Sequence, residues 1–66
     1  MDAVSALARE LRRARKEAGL TQGDLADLAG VSERTVRALE TATGNPSLRA
    51  VVSVFDVLGL KVGVAR

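Results

Sequence analysis

The side chains best equipped for chemistry lie between Ser32 and Thr41, in the run SERTVRALET. At ~100° per residue, Val36 and Leu39 fall about 60° apart on a helix, while Arg34, Arg37, Ala38 and Thr41 fall on the opposite side. A guanidinium offers a rigid fork of donors, a carboxylate accepts, and a hydroxyl does both. Such a set is suited to recognising a polar partner. The chain has no histidine and no cysteine, which excludes His-based catalysis, disulfides and thiolate zinc sites. Carboxylate chemistry stays formally open. With no nucleophile elbow, no phosphate loop and only 66 residues to build a pocket, the sequence reads as a non-enzyme with no metal and no cofactor.

The elements that must position this face are two short helices over 21–40, TQGDLADLAGVSERTVRALE. Thr21 with Asp24 three residues later forms an N-cap and a capping-box partner for the first, whose apolar positions are Leu25, Ala26, Leu28 and Ala29. Gly30 tolerates the left-handed conformation that ends a helix, and Val31 is the apolar residue such a turn tucks inward. Ser32 caps the second helix. Small residues at Ala26 and Gly30 allow close backbone approach at a steep crossing. A small-residue corner followed by an exposed polar helix describes a helix-turn-helix, a motif that sets its second helix in the major groove of DNA.

Gln22, Ala26, Gly30, Val36 and Leu39 carry a family resemblance. Their spacing is similar to the helix-turn-helix of the Cro/phage-repressor type regulators, the xenobiotic-response-element-like family. The flanking GLTQ at Gly19 to Gln22 and NPSL at Asn45 to Leu48 resemble the same family, so the likeness covers about residues 4–59. It implies an all-α, lambda-repressor-like bundle of about four short helices, with double-stranded DNA as partner. It also implies an internal ion pair between Arg15, at the edge of the buried face of the first helix, and Glu40, about 40° from Val36 on the wheel.

On this reading, bases are contacted by Ser32, Glu33, Arg34, Thr35 and Ala38, together with Gln22, which matches the family's DNA-contacting glutamine and can hold a phosphate or reach a base edge. Arg34 can bridge O6 and N7 of guanine. Glu33 either accepts from cytosine N4 or only favours the helix N-terminus. Ala38 replaces the longer polar residue often found there, and touches either a thymine methyl or nothing. Thr21, Arg37, Thr41, Thr43 and Asn45 are assigned to phosphates.

Before this motif, Asp2 caps a helix with Val4, Leu7, Leu11, Ala14 and Ala18 on one face, ending before Gly19. Arg9, Arg12, Arg13 and Lys16 on its other side are either a solvated surface or neighbours of a DNA backbone. After Glu40, TATGNPS reads as a loop. Ser47 caps a fourth helix reaching Leu58, with Gly59 as its stop and Leu48, Val51, Val52, Phe55 and Leu58 as its apolar face. Val54 and Val57 are left over. The tail alternates, Leu60, Val62 and Val64 against Lys61, Gly63 and Ala65, which is strand periodicity over 60–65 with no partner strand in the chain. It is either a frayed end or half of a ribbon paired across a homodimer, and the ribbon resembles that of the HipB-like branch of the family. Val54, Val57, Leu60, Val62 and Val64 are the expected dimer interface.

Lysine and arginine number ten against eight acidic residues, for a net charge of +2, which suits a polyanion. One aromatic residue, Phe55, is too few to stack single-stranded bases. No apolar run has the length of a signal peptide core or a membrane span, so the chain reads as a single cytoplasmic domain over 1–66. The expected function is sequence-specific transcriptional regulation, as a repressor. The alternative is an antitoxin that binds a toxin protein and regulates its own operon.

Overall fold

The computed structural model describes residues 2–61. Four helices follow in order: α1 (Ala3–Glu17), α2 (Gln22–Ala29), α3 (Glu33–Thr41) and α4 (Leu48–Val57). There is no strand among the described residues, and Val62 and Val64 lie outside them.

Every helix begins with a side-chain cap. Asp2 accepts from the Ser5 amide at 2.8 Å, and Ser47 accepts from the Ala50 amide at 3.1 Å. Thr21 and Ser32 do the same for α2 and α3. Capping supplies partners for amides that a helix start otherwise leaves unpaired. Gly30, at φ 70°, then turns the chain between α2 and α3, and the Val31 amide reaches back to the Ala26 carbonyl at 3.0 Å. That is the Schellman arrangement, which drives Val31 against the core.

α2 packs on both α3 and α4, while α1 lies mainly against α3. The core is Leu11, Leu25, Ala26, Val36, Val54 and Phe55, with Leu20, Ala29, Val31, Leu39, Val51, Val57, Leu58 and Leu60 packed around it.

Three expectations for the apolar faces need correction. In α1 the buried stripe is Ala8, Leu11 and Arg15, and Val4 and Leu7 are 61% and 53% exposed. Val4 shares the wheel direction of Leu11. It stays open because the first turns of α1 stand off from the loop before α4, leaving a groove of about 370 Å³ lined by Val4, Leu7, Leu39, Pro46, Val51 and Phe55. In α2, Leu28 is 63% exposed. In α4 the buried face is rotated by roughly 60° from the expected one. Val54, expected at a dimer interface, is fully buried within its own protomer, whereas Leu48 is 74% exposed. Apolar residues occupy most of the α4 wheel, so its periodicity does not say which arc is covered. Packing on α2 decides it. Val57 and Leu60 also pack on the protomer's own core, and the Leu60 amide donates to the Phe55 carbonyl at 2.9 Å.

α3 ends at Ala42, which has φ 55° and is the one non-glycine residue at positive φ among those described. An L-residue in this left-handed conformation is strained by ~1–2 kcal/mol, while glycine costs ~0.4–1 kcal/mol more to order. Ala42→Gly is therefore expected to stabilise the protein by about 0.5–1 kcal/mol. Thermal unfolding should show this as a rise of several degrees in Tm.

Candidate nucleic-acid interface

The helix-turn-helix is held from beneath by a buried ion pair. Arg15 of α1 donates from Nε to Glu40 Oε2 at 2.6 Å and from Nη2 to Oε1 at 3.0 Å, and its Nη1 donates to the Leu20 carbonyl at 2.8 Å. The Arg15 and Glu40 side chains are 10% and 2% exposed. The bond to Glu40 holds the guanidinium pKa above its ordinary value. Gln22 joins the same network, donating from Nε2 to Glu40 Oε1 at 3.3 Å. The end of α3, the start of α2 and α1 are thus joined at one carboxylate.

Above this network lies a cleft of about 620 Å³ lined by Arg12, Thr21, Gln22, Glu33 and Thr41. Thr21 forms a reciprocal capping box: its hydroxyl accepts from the Asp24 amide at 2.9 Å and its own amide donates to Asp24 Oδ2 at 3.0 Å. That backbone bond holds the Asp24 carboxyl below the usual carboxylate range. By sequence, Arg12 is one cation among four. The structure separates them, because Arg13 pairs along its own helix with Glu10 and, at 3.6 Å, with Glu17, while Arg12 borders the cleft.

On α3, Arg34 and Arg37 are exposed on the side away from buried Val36. Ser32 and Thr35 are bonded to each other, hydroxyl to hydroxyl at 2.9 Å, while Ser32 also caps the helix at 3.1 Å. Each hydroxyl keeps some unused capacity for a base edge. Ala38 is half-buried, and a Cβ added at Gly44 would stand 3.6 Å from that of Ala38, so the following loop lies close against it.

The hydroxyls expected at phosphates are partly committed elsewhere. Thr41 donates to the Arg37 carbonyl at 2.9 Å and shares a 2.8 Å bond with Thr43, which leaves Thr43 as the donor of the second. Asn45 does not join the cleft and borders the apolar groove beside α1. Glu33 points back toward α2, with Oε1 3.5 Å from where a Cβ at Gly23 would stand. On the helical wheel Glu33 falls about 20° from Glu40, at the edge of the buried face, but the wheel does not say that its carboxylate reaches α2. Among the described residues there is no group of acidic side chains arranged for a metal, and no helix is long and apolar enough to cross a membrane.

Comparison with known proteins agrees with this geometry. Residues 6–66 match the family described as helix-turn-helix domain. An uncharacterized HTH-type transcriptional regulator of Methanothermobacter thermautotrophicus is 43% identical over 49 residues, which cover 74% of this chain and 71% of that protein. Among solved structures, the restriction-modification controller protein C.AhdI from Aeromonas hydrophila is similar with a TM-score of 0.78 at 28% identity, over 88% of each chain. The master regulator for biofilm formation SinR, solved in complex with DNA, is similar with a TM-score of 0.72 at 28% identity, over 83% of this chain and 89% of its own. A chain of the HipA-HipB-O2-O3 complex shares the fold with a TM-score of 0.84 at 23% identity, over 100% of this chain and 93% of that one. The chain belongs to the helix-turn-helix family of DNA-binding transcriptional regulators.

Proposed function

We propose that the protein is a repressor that binds double-stranded DNA as a homodimer, setting one α3 from each protomer in successive major grooves of a near-palindromic operator. Two-fold symmetry puts the half-sites ~34 Å apart, one turn of the duplex. The observation that carries this reading is the face of α3: Arg34 and Arg37 stand exposed on a helix whose opposite side is anchored by Val36 and by the Arg15–Glu40 pair.

Arg34 reads a base, with Ser32, Thr35 and Ala38 beside it. Arg37 and Arg12 neutralise phosphates, and Thr21 and Gln22 meet another at the start of α2. Selection of bound duplexes from a random pool tests the reading. A near-palindromic consensus is the expected result, and a pool that stays random after enrichment overturns it.

Val62 and Val64, expected at the dimer interface, lie outside the described residues, and the apolar surface that the described part of α4 offers a second protomer is the exposed Leu48 and Val52. Because Leu60 belongs to the protomer's own packing, the informative truncation ends at Lys61. It is expected to sediment as a monomer with unchanged helical content and weaker binding to the two-half-site duplex. Equal sedimentation and affinity of both chains would place the interface elsewhere. The antitoxin alternative has in its favour the fold shared with a chain of the HipA-HipB-O2-O3 complex, a likeness that speaks for fold only.

A further inference from the structure

Glu33 is the first residue of α3, and its carboxylate stands over the first turn of α2, with Oε1 3.5 Å from where a Cβ at Gly23 would lie. That turn offers donors. Thr21 engages the Asp24 amide through its hydroxyl and the Leu25 amide through its carbonyl, at 2.9 and 3.0 Å. The amides of Gln22 and Gly23 make no hydrogen bond among the described residues. A helix start with open amides and a partial positive charge attracts an anion, and here the anion at hand is a side chain of the neighbouring helix. Glu33 lines the same cleft as Arg12, Thr21, Gln22 and Thr41, so the carboxylate occupies the approach that a backbone phosphate would use.

We infer that Glu33 is an electrostatic gate on phosphate approach to the start of α2, and that it sets how tightly the protein grips DNA of any sequence. This rests on the proposed placement of α3 in the major groove. When DNA docks, the carboxylate either swings out of the cleft or remains beside the phosphate, and both outcomes weaken binding. The penalty is the same for every sequence, because the backbone is the same. The protein therefore stays loosely held on bulk DNA, and base contacts made elsewhere on α3 decide where it rests.

Glu33→Gln removes the charge and keeps the shape, and Glu33→Ala removes both. A unit charge ~5 Å from a phosphate in aqueous surroundings is worth about fourfold in affinity. Binding of each variant is measured on a random duplex and on the duplex selected by the wild type, at two salt concentrations. Both variants are expected to bind both duplexes about fourfold more tightly per half-site, with the gain shrinking at higher salt as the charge is screened. A loss confined to the selected duplex would make Glu33 a base reader and overturn the gate. Unchanged binding to both duplexes would overturn it too. Failure of the wild type to bind either duplex would refute the DNA-binding reading itself, a result seen before any variant is made.

Discussion

Glu40→Ala is expected to cost about 3–5 kcal/mol, because it strands the Arg15 guanidinium in a site where its side chain is only 10% exposed. A domain of this length buries only ~60% of its unfolded surface and stands near the lower end of the ~5–15 kcal/mol range of folding stability. The variant should therefore be largely unfolded well below the melting temperature of the parent. Arg15→Ala is the mirror case. It leaves Glu40, 2% exposed, with the 3.3 Å contact from Gln22 as its one hydrogen bond among the described residues. Since each single change leaves a buried charge behind, the double variant should recover part of the loss, with a coupling of ~0.5–3 kcal/mol in urea unfolding. Strictly additive losses would mean that the pair contributes nothing as a pair.

Arg34→Ala should act on recognition with the fold untouched, since Arg34 is exposed. Loss of a guanidinium that bridges two acceptors on guanine is worth ~1–3 kcal/mol per half-site, or about 5- to 150-fold. A dimer meets this loss in each half-site. The discriminating measurement is a comparison of all four bases at every operator position: the variant should lose preference at one position per half-site and keep it elsewhere. Arg37→Ala should instead weaken all duplexes alike and flatten the salt dependence by about one unit for each phosphate that is no longer neutralised. If Arg34→Ala behaves in that second way, it is a phosphate ligand and the register assigned to α3 is wrong.

Helix boundaries are legible in the sequence because they are set locally. Asp2, Thr21, Ser32 and Ser47 each bond an amide three residues on, a contact that depends on nothing but spacing. The buried arc of α4 is not legible, since its apolar residues cover most of the wheel and only the position of α2 selects Val54 over Leu48. Val4 and Leu7 depart from expectation for a related reason: periodicity reports direction around a helix and is blind to how far its neighbours extend along it. Within the recognition surface, the sequence indicates which residues face outward. It does not show that Glu33 reaches across to α2 or that Thr41 and Thr43 satisfy one another, because those arrangements involve side chains whose rotamers are chosen by the assembled fold.

The order in which the helices pack has a consequence for how the DNA-reading surface is lost. α2 has 8 residues and α3 has 9, both shorter than the ~12–15 that an isolated helix needs in water. Each is held by a helix outside the motif, α3 by α1 and α2 by α4, so the flanking helices clamp the motif between them. The motif therefore has no melting point of its own. Fraying α1 far enough to free Leu11, or α4 far enough to free Val54, removes the support of one of the two helices. Because α2 and α3 pack on each other the second follows, so that opening becomes all-or-none. Occupancy of DNA by such a protein ends where the whole fold ends, which ties the upper temperature of regulation to the stability of a core that no nucleotide touches.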